Sequence, residues 1–468
     1  MNAGQRELQW MKAALPQKVE ESCEENWMSY LENGIASDKK LFSDWNSFVP
    51  GSLSPCHLIV AAIQCMRNKG YDVTEAEKYI DAGLKAEEEQ DGAAIQVISA
   101  KIYHLLNTAP KDSTSDYWKY RDYKTWEEIE ASCSFPAKKD VDVFSEDFAM
   151  RIRAGWLGQL IGGAMGTQVE GYLTENIRKV FGEVRNYLRA PETYNDDITY
   201  EIAFLDAFRR EGYDITSDHI ADKWLELISD GYSVEEVALR NLRCGIRPPE
   251  SGRFSNYYSD WIGAQMRTAI HGMVAPGDAR LAAKLAALDS MVSHSNNGIL
   301  GGNFNAVLVS LAFAEKDMKE VVKQTIDCLP KDSEYYAMAC FALDCCQNSA
   351  TWEKAWQKCE DRFIADYNWI HAYPNMAAEV VAFWFGENDF DETAYIITMC
   401  GQDADCTAGP VLNVLGVAFG MAQIKEKWLQ PLGSEVLTMM RKYRRFTIDE
   451  LIGWTVESVR DAVKSCDV

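Results

Sequence analysis

The chain has 468 residues, 47% of them hydrophobic, and 47 Lys plus Arg against 71 Asp plus Glu give a formal net charge of -24. That length allows roughly two or three domains with sizeable cores. The charge repels phosphate backbones and anionic lipid, which excludes general nucleic-acid and membrane-surface binding; a phosphorylated small molecule stays open if a metal or local dipoles reverse the field in its pocket.

The opening residues, MNAGQRELQW, lack the basic start and apolar run of a signal peptide, and no stretch approaches the ~20 apolar residues that span a bilayer. Thirteen Cys form no framework and no CxxC pair. A reduced, cytoplasmic compartment is expected, with most Cys as small core residues.

Helical periodicity dominates, with few alternating runs and no βαβ pattern, so the fold class is all-α. Residues 1–140 read as a helical N-terminal extension or domain, with helices expected over Gln5–Ala14, Cys56–Asn68, Val73–Glu89 and Ala93–Leu106. The plainer reading of this region is a helical extension packed on the rest; the sharper one is a surface for a protein partner. Residues 108–144 form a loop followed by an aromatic cluster, Tyr117, Trp118, Tyr120, Tyr123 and Trp126, expected to staple the segment to its neighbour. Phe135 to Asp140 read as the linker into a main domain at 141–430, and residues 431–468 as C-terminal helices packing on it. In FAMRIRAGWLGQLIGGAMG, Gly155, Gly158 and Gly162 recur on one helical face, and VLNVLGVAFGMA at 411–422 is similar. Each interior Gly costs about 1 kcal/mol relative to Ala, so their repetition implies another backbone packed closely against that face.

Two acidic clusters open small-residue helices. Asn195, a good N-cap, precedes Asp196 and Asp197, and Asp403 and Asp405 precede the helix expected from 411, with Pro410 in its first turn. Either pair alone is explained by complementing the helix dipole, at ~0.3–1 kcal/mol per charge. Together, adjacent carboxylates repel and suit a hard cation, Mg²⁺, Mn²⁺ or Ca²⁺, with one or two ions held. Glu170 lies in a Gly-flanked turn, mobile enough to reach a ligand. No GxSxG, HExxH or P-loop occurs, and of the six isolated His only His294 falls near a plausible site loop.

At these residues the sequence resembles the ADP-ribosylglycohydrolase family, of the dinitrogenase reductase-activating glycohydrolase type. AGWLGQLIGGAMGTQVEGY, NDDITYEIAFLDAF, IGAQMRTAIHGMVAPGD with ALDSMVSHSNNGILGGNFNA, and GQDADCTAGPVLNVLGVAFG match its motifs in order, from about residue 147 to 424. The resemblance implies a compact all-α bundle with two magnesium ions between helix ends. It puts Asn195, Asp196, Asp197, Asp403, Asp405 and Cys406 on metal-ligand positions and Glu170 on a glutamate touching metal or substrate. Arg267 and His294 fall near a ribose-phosphate groove, and Ser259 on a phosphate-cradling stretch. The chain departs from the family where Asn195 and Cys406 replace Thr, where Gly163 replaces Asp, and where Asp260 follows Ser259. A thiol is a poor magnesium ligand, and Thr407 is the alternative. The activity implied is metal-dependent hydrolysis of a ribosyl glycosidic bond in a small-molecule or protein-attached substrate, with Glu170, Asp196 and Asp197 as catalytic groups; a metal- or ligand-binding pseudoenzyme of the same fold is the alternative.

Overall fold

The structure, a computed structural model, describes residues 1–16 and 27–466. Among the described residues the regular secondary structure is helical apart from two short antiparallel hairpins, Ser47–Phe48 with Pro55–Cys56 and Glu435–Leu437 with Arg445–Thr447, and isolated bridges.

At the centre, Glu146–Gly166 lies antiparallel against Ala404–Phe419. The small-residue face makes this possible. A Cβ at Gly158 would collide with the carbonyl of Leu412, one at Gly162 with that of Ala408, and one at Gly166 with Ala404. The last contact puts the end of one helix beside the start of the other. Ala404–Gln423 is long and apolar enough to cross a bilayer by length and composition, which the sequence reading had denied of any stretch, but 83% of its apolar window is buried inside the protein. Asn297–Ala312, buried along its whole length, completes the inner layer.

The N-terminal region packs on this bundle. Trp45, fully buried, donates to Ser99 Oγ at 2.8 Å and fills the space left by Gly83. Tyr258 Oη donates to the carbonyl of Leu58 at 2.9 Å, and Lys69 Nζ to Ser259 Oγ at 2.6 Å. The aromatic segment does staple: Tyr123 is buried and donates to Asp332, Trp118 Nε1 donates to the Gly70 carbonyl at 2.8 Å, and Asn296 Nδ2 donates to Tyr117 Oη at 3.2 Å.

Several boundaries differ from the sequence reading. Val73–Glu89 is two helices, Thr74–Glu77 and Ile80–Glu88; Cys56 lies in a strand; and Trp27–Trp45 is a helix that periodicity did not single out. The last core helix begins at Ala404 rather than 411, which leaves Pro410 in its interior. The dense packing against Glu146–Gly166 holds that helix despite the hydrogen bond Pro410 cannot donate. At the C-terminus a hairpin precedes the single helix Ile448–Cys466, and Trp156 Nε1 donates to its Thr455 Oγ1 at 2.9 Å.

Candidate active site

The Asp196–Glu211 helix is started by Asn195, whose Oδ1 accepts from Asp197 N at 2.7 Å. Asp403 is the N-cap of Ala404–Phe419, yet its side chain makes no capping hydrogen bond. Its backbone N–H is taken by Asn375 Oδ1 at 3.0 Å. Capping therefore does not explain the Asp403 carboxylate.

The two helix starts face each other. Ligand atoms of Asp196, Asp197 and Cys406 lie within 4.8 Å of one another, and so do those of Asp403, Asp405 and Cys406. Asp197, Asp403 and Asp405 are buried and Asp196 is half-buried. Burial and mutual repulsion act together. The carboxyl of Asp405 is pushed up to about 7 by burial and then by Asp196, and those of Asp197 and Asp403 rise well above the usual carboxylate range for the same reasons. Asp405 Oδ1 and Asp403 Oδ1 are buried without a hydrogen-bond partner. Buried polar atoms are rarely orphaned in folded proteins, and four converging carboxylates match the oxygen donor set of a hard divalent cation.

Glu170 faces the same space, in a turn that is pinned rather than mobile. Gly171 N donates to the carbonyl of Gln402 at 2.6 Å, and Gln402 N to the carbonyl of Tyr172 at 3.1 Å. Gly171 has φ +79°, and a side chain there would strike Ser54. Burial, followed by Asp405, Asp403, Asp196 and Asp197, holds the Glu170 carboxyl well above its ordinary value.

Two residues expected among the ligands, Asn195 and Cys406, make hydrogen bonds within the cluster in this structure. Asn195 Oδ1 is used by the helix cap, and what the side chain offers the acidic cluster is an N–H, donated to Asp405 Oδ2 at 3.4 Å. The Cys406 thiol is pushed well above its usual range by burial and the neighbouring aspartates, and it donates to Asp197 Oδ1 at 3.3 Å. It serves the cluster as a hydrogen-bond donor. Thr407, the alternative, is fully buried, with its hydroxyl donating to the Ala404 carbonyl at 3.2 Å.

The expected substrate groups Arg267, His294 and Ser259 stand outside the cleft lining. Arg267 is 0% exposed and saturated, donating to Asp289 Oδ1 at 2.7 Å, Glu235 Oε1 at 3.0 Å, the Gly263 carbonyl at 2.7 Å and Ser293 Oγ at 2.8 Å. His294 Nε2 accepts from Ala264 N at 3.1 Å, and burial followed by the Arg267 and Lys69 charges drives it well below its ordinary range, so the ring is neutral. Ser259 is occupied by Lys69 and by Ser295 Oγ at 2.9 Å. These side chains brace the wall: Glu235 and Gly263, which Arg267 holds, do line the cleft.

The cleft itself has a volume of about 450 Å³, within the ~300–1,000 Å³ usual for small-molecule sites. Its wall includes Phe48, Tyr194, Tyr232, Trp369 and Met439, none of which the sequence reading singled out as site residues. Tyr194 adjoins the Asn195 motif and was within reach of it; the others have no local signal.

The model of the ADP-ribosylglycohydrolase family matches residues 145–459, more than half of the chain. The chain belongs to the ADP-ribosylglycohydrolase family, and that membership suggests glycosyl hydrolase activity. It is 28% identical over 297 residues to an uncharacterized protein of Archaeoglobus fulgidus, a match covering 59% of this chain and 89% of that one. A solved structure described as an ADP-ribosylglycohydrolase-related protein complex aligns with a TM-score of 0.50 at 19% identity, covering 68% of this chain and 100% of that one. That likeness supports the helical fold.

Proposed function

We propose that the protein is a divalent-metal-dependent hydrolase of a ribosyl glycosidic bond. The observation that carries this reading is the convergence of Asp196 and Asp197 with Asp403 and Asp405 from two helix starts, with Asp196, Asp403 and Asp405 lining a cleft and the orphaned Oδ1 atoms of Asp403 and Asp405 among them. These four aspartates would hold one or two Mg²⁺, with Mn²⁺ or Ca²⁺ as substitutes. When bound, such ions supply Lewis acidity and a fixed anchor for vicinal hydroxyls.

The chain's own groups then do the following. Asp196, at the cleft surface, orients the sugar. Glu170 accepts a proton at its carboxylate from the water that attacks the anomeric carbon. The carboxylate-rich floor stabilises the positive charge of an oxocarbenium-like transition state. Cys406 keeps Asp197 oriented through its thiol hydrogen bond. Residues 1–140 complete the cleft rather than forming a separate module, because Ser47, Phe48 and Gly51 belong to its wall.

The test is titration with Mg²⁺, Mn²⁺ and Ca²⁺ by calorimetry on the wild type, Asp196→Ala and Asp405→Ala, alongside an assay for ribose release from ribosyl substrates. Binding and turnover abolished by both substitutions support the reading. Cation binding indifferent to both would refute it.

A further inference from the structure

The charge of the cleft wall, and the origin of its mouth, narrow the substrate. Six carboxylates line the cleft, Glu170, Asp196, Asp230, Glu235, Asp403 and Asp405, and among the described residues no Lys, Arg or His does. Glu235 is answered from behind by Arg267 at 3.0 Å. With Asp197, which joins the aspartate cluster from behind the lining, six charges are left and two divalent cations would offset four of them, so nothing remains to balance an added anion. Arg189 approaches the mouth with a hydrogen bond to the Gly51 carbonyl at 3.4 Å, but it already pairs with Glu192 at 3.6 Å. A pyrophosphate would therefore enter a negative, partly desolvated field.

The mouth is aromatic instead. Phe48 is 62% exposed and Tyr194 48% exposed although both line the cleft, and Tyr232 and Trp369 continue the rim. Large exposed aromatics at a cleft mouth offer faces on which a planar group stacks. Phe48 comes from the N-terminal hairpin, which is anchored to the catalytic part. Tyr172 Oη donates to the Ser52 carbonyl at 3.1 Å, and Cys56 Sγ and Tyr232 Oη share a hydrogen bond of 2.6 Å.

We infer that the cleft takes an unphosphorylated ribonucleoside, with its neutral or cationic base stacked at the Phe48–Tyr194 mouth and its ribose over the aspartates. This rests on the ribosyl-hydrolase reading above and makes the N-terminal hairpin a determinant of substrate specificity. In the reaction, the bond between the anomeric carbon and the base nitrogen breaks and the water oxygen bonds to that carbon. The water proton passes to Glu170, which returns it to the nitrogen of a departing neutral base, whereas a cationic base leaves as the neutral molecule and the proton goes to solvent, so that free ribose and free base leave.

The experiment uses the full chain with Mg²⁺. Calorimetry compares adenosine, guanosine, cytidine, uridine and nicotinamide riboside with ADP-ribose and free ribose, on the wild type, Phe48→Ala and Tyr194→Ala, and ribose release is assayed in parallel. At least one nucleoside is expected to bind ten or more times tighter than ADP-ribose, a margin of about 1.4 kcal/mol. Either substitution weakens that nucleoside about tenfold, as loss of one stacking face does, and leaves ribose and Mg²⁺ affinities unchanged. ADP-ribose binding as tightly as every nucleoside, or nucleoside affinity indifferent to both substitutions, overturns the inference. The two readings fail separately. With Asp196→Ala included, Asp196-dependent cleavage of an ADP-ribosyl substrate alone sinks this inference and spares the hydrolase; selective nucleoside binding without Asp196-dependent cleavage of any substrate sinks the hydrolase reading and the cleavage step and leaves only the nucleoside site.

Discussion

Replacing Asp405 by Asn separates a metal site from a structural acid. In the folded chain without a cation the Asp405 carboxyl is raised from 3.8 to about 7, first by burial and then by Asp196. In the unfolded chain it returns to about 3.9. The folded state therefore holds this proton more tightly. The penalty is absent below about pH 4, grows as pH rises between 4 and 7, and is constant above 7. Three units correspond to on the order of 4 kcal/mol. Asn keeps the shape and carries no charge, and it forfeits only part of the weak bond from Asn195 Nδ2, 3.4 Å long. Metal-free Asp405→Asn is thus expected to be more stable than the wild type by about 2–4 kcal/mol at pH 8 and equal to it at pH 4. A divalent cation at 1,000 times its dissociation constant stabilises the wild type by about 4.1 kcal/mol, enough to close or reverse that gap, since only the wild type binds it. Thermal melts at pH 4, 6 and 8, with and without Mg²⁺, read both effects. If metal-free Asp405→Asn melts below the wild type at pH 8, or gains as much from Mg²⁺, the acid is structural and the argument fails.

Three further outcomes follow from the same geometry. Glu170→Gln should lower kcat by about 10²–10⁴, the usual contribution of a general base, while Mg²⁺ affinity by calorimetry stays within a few-fold; an unchanged kcat removes Glu170 from the chemistry. Cys406→Thr replaces a thiol donor to Asp197 with a hard oxygen, so Mg²⁺ affinity should rise by about tenfold, and a fall would show that the thiol hydrogen bond matters more than ligand hardness. Gly162→Ala puts a Cβ into the carbonyl of Ala408 and should destabilise by about 1–3 kcal/mol in a denaturant titration, the range for overpacking; a neutral result would mean that the two central helices separate at little cost.

The central bundle and the acidic floor were legible because each leaves a local mark. Gly158 and Gly162 recur at four-residue spacing, and a helix tolerates that cost only for close backbone packing. Asn195 before Asp196 and Asp197 is a helix start written in three residues. The start of the Asp403–Asp405 helix was misjudged because Pro410 looks like a first-turn residue, and only the packing of Ala404–Phe419 against Glu146–Gly166 explains a proline in the interior. Arg267 and His294 were visible as residues of motifs, but their roles turn on what surrounds them. A guanidinium held at once by Asp289, Glu235 and Ser293 is spent before any substrate arrives.

The cleft wall was illegible for a different reason. Phe48 lies outside the residues matched by the family and about 120 positions before Glu170, and no periodicity connects the two. Their meeting depends on small clearances. Ser54 fits only because Gly171 has no side chain, Gly51 sits against Thr167, and Tyr172 reaches the Ser52 carbonyl. The same turn, bridged to Gln402 through Gly171 and Tyr172, also receives the N-terminal hairpin. A change at Gly171 would therefore disturb Glu170 and the cleft wall together, whereas a change at Phe48 alters the wall alone. This asymmetry makes Phe48 the cleaner probe of specificity, and it argues that the N-terminal hairpin acts through the shape of the cleft.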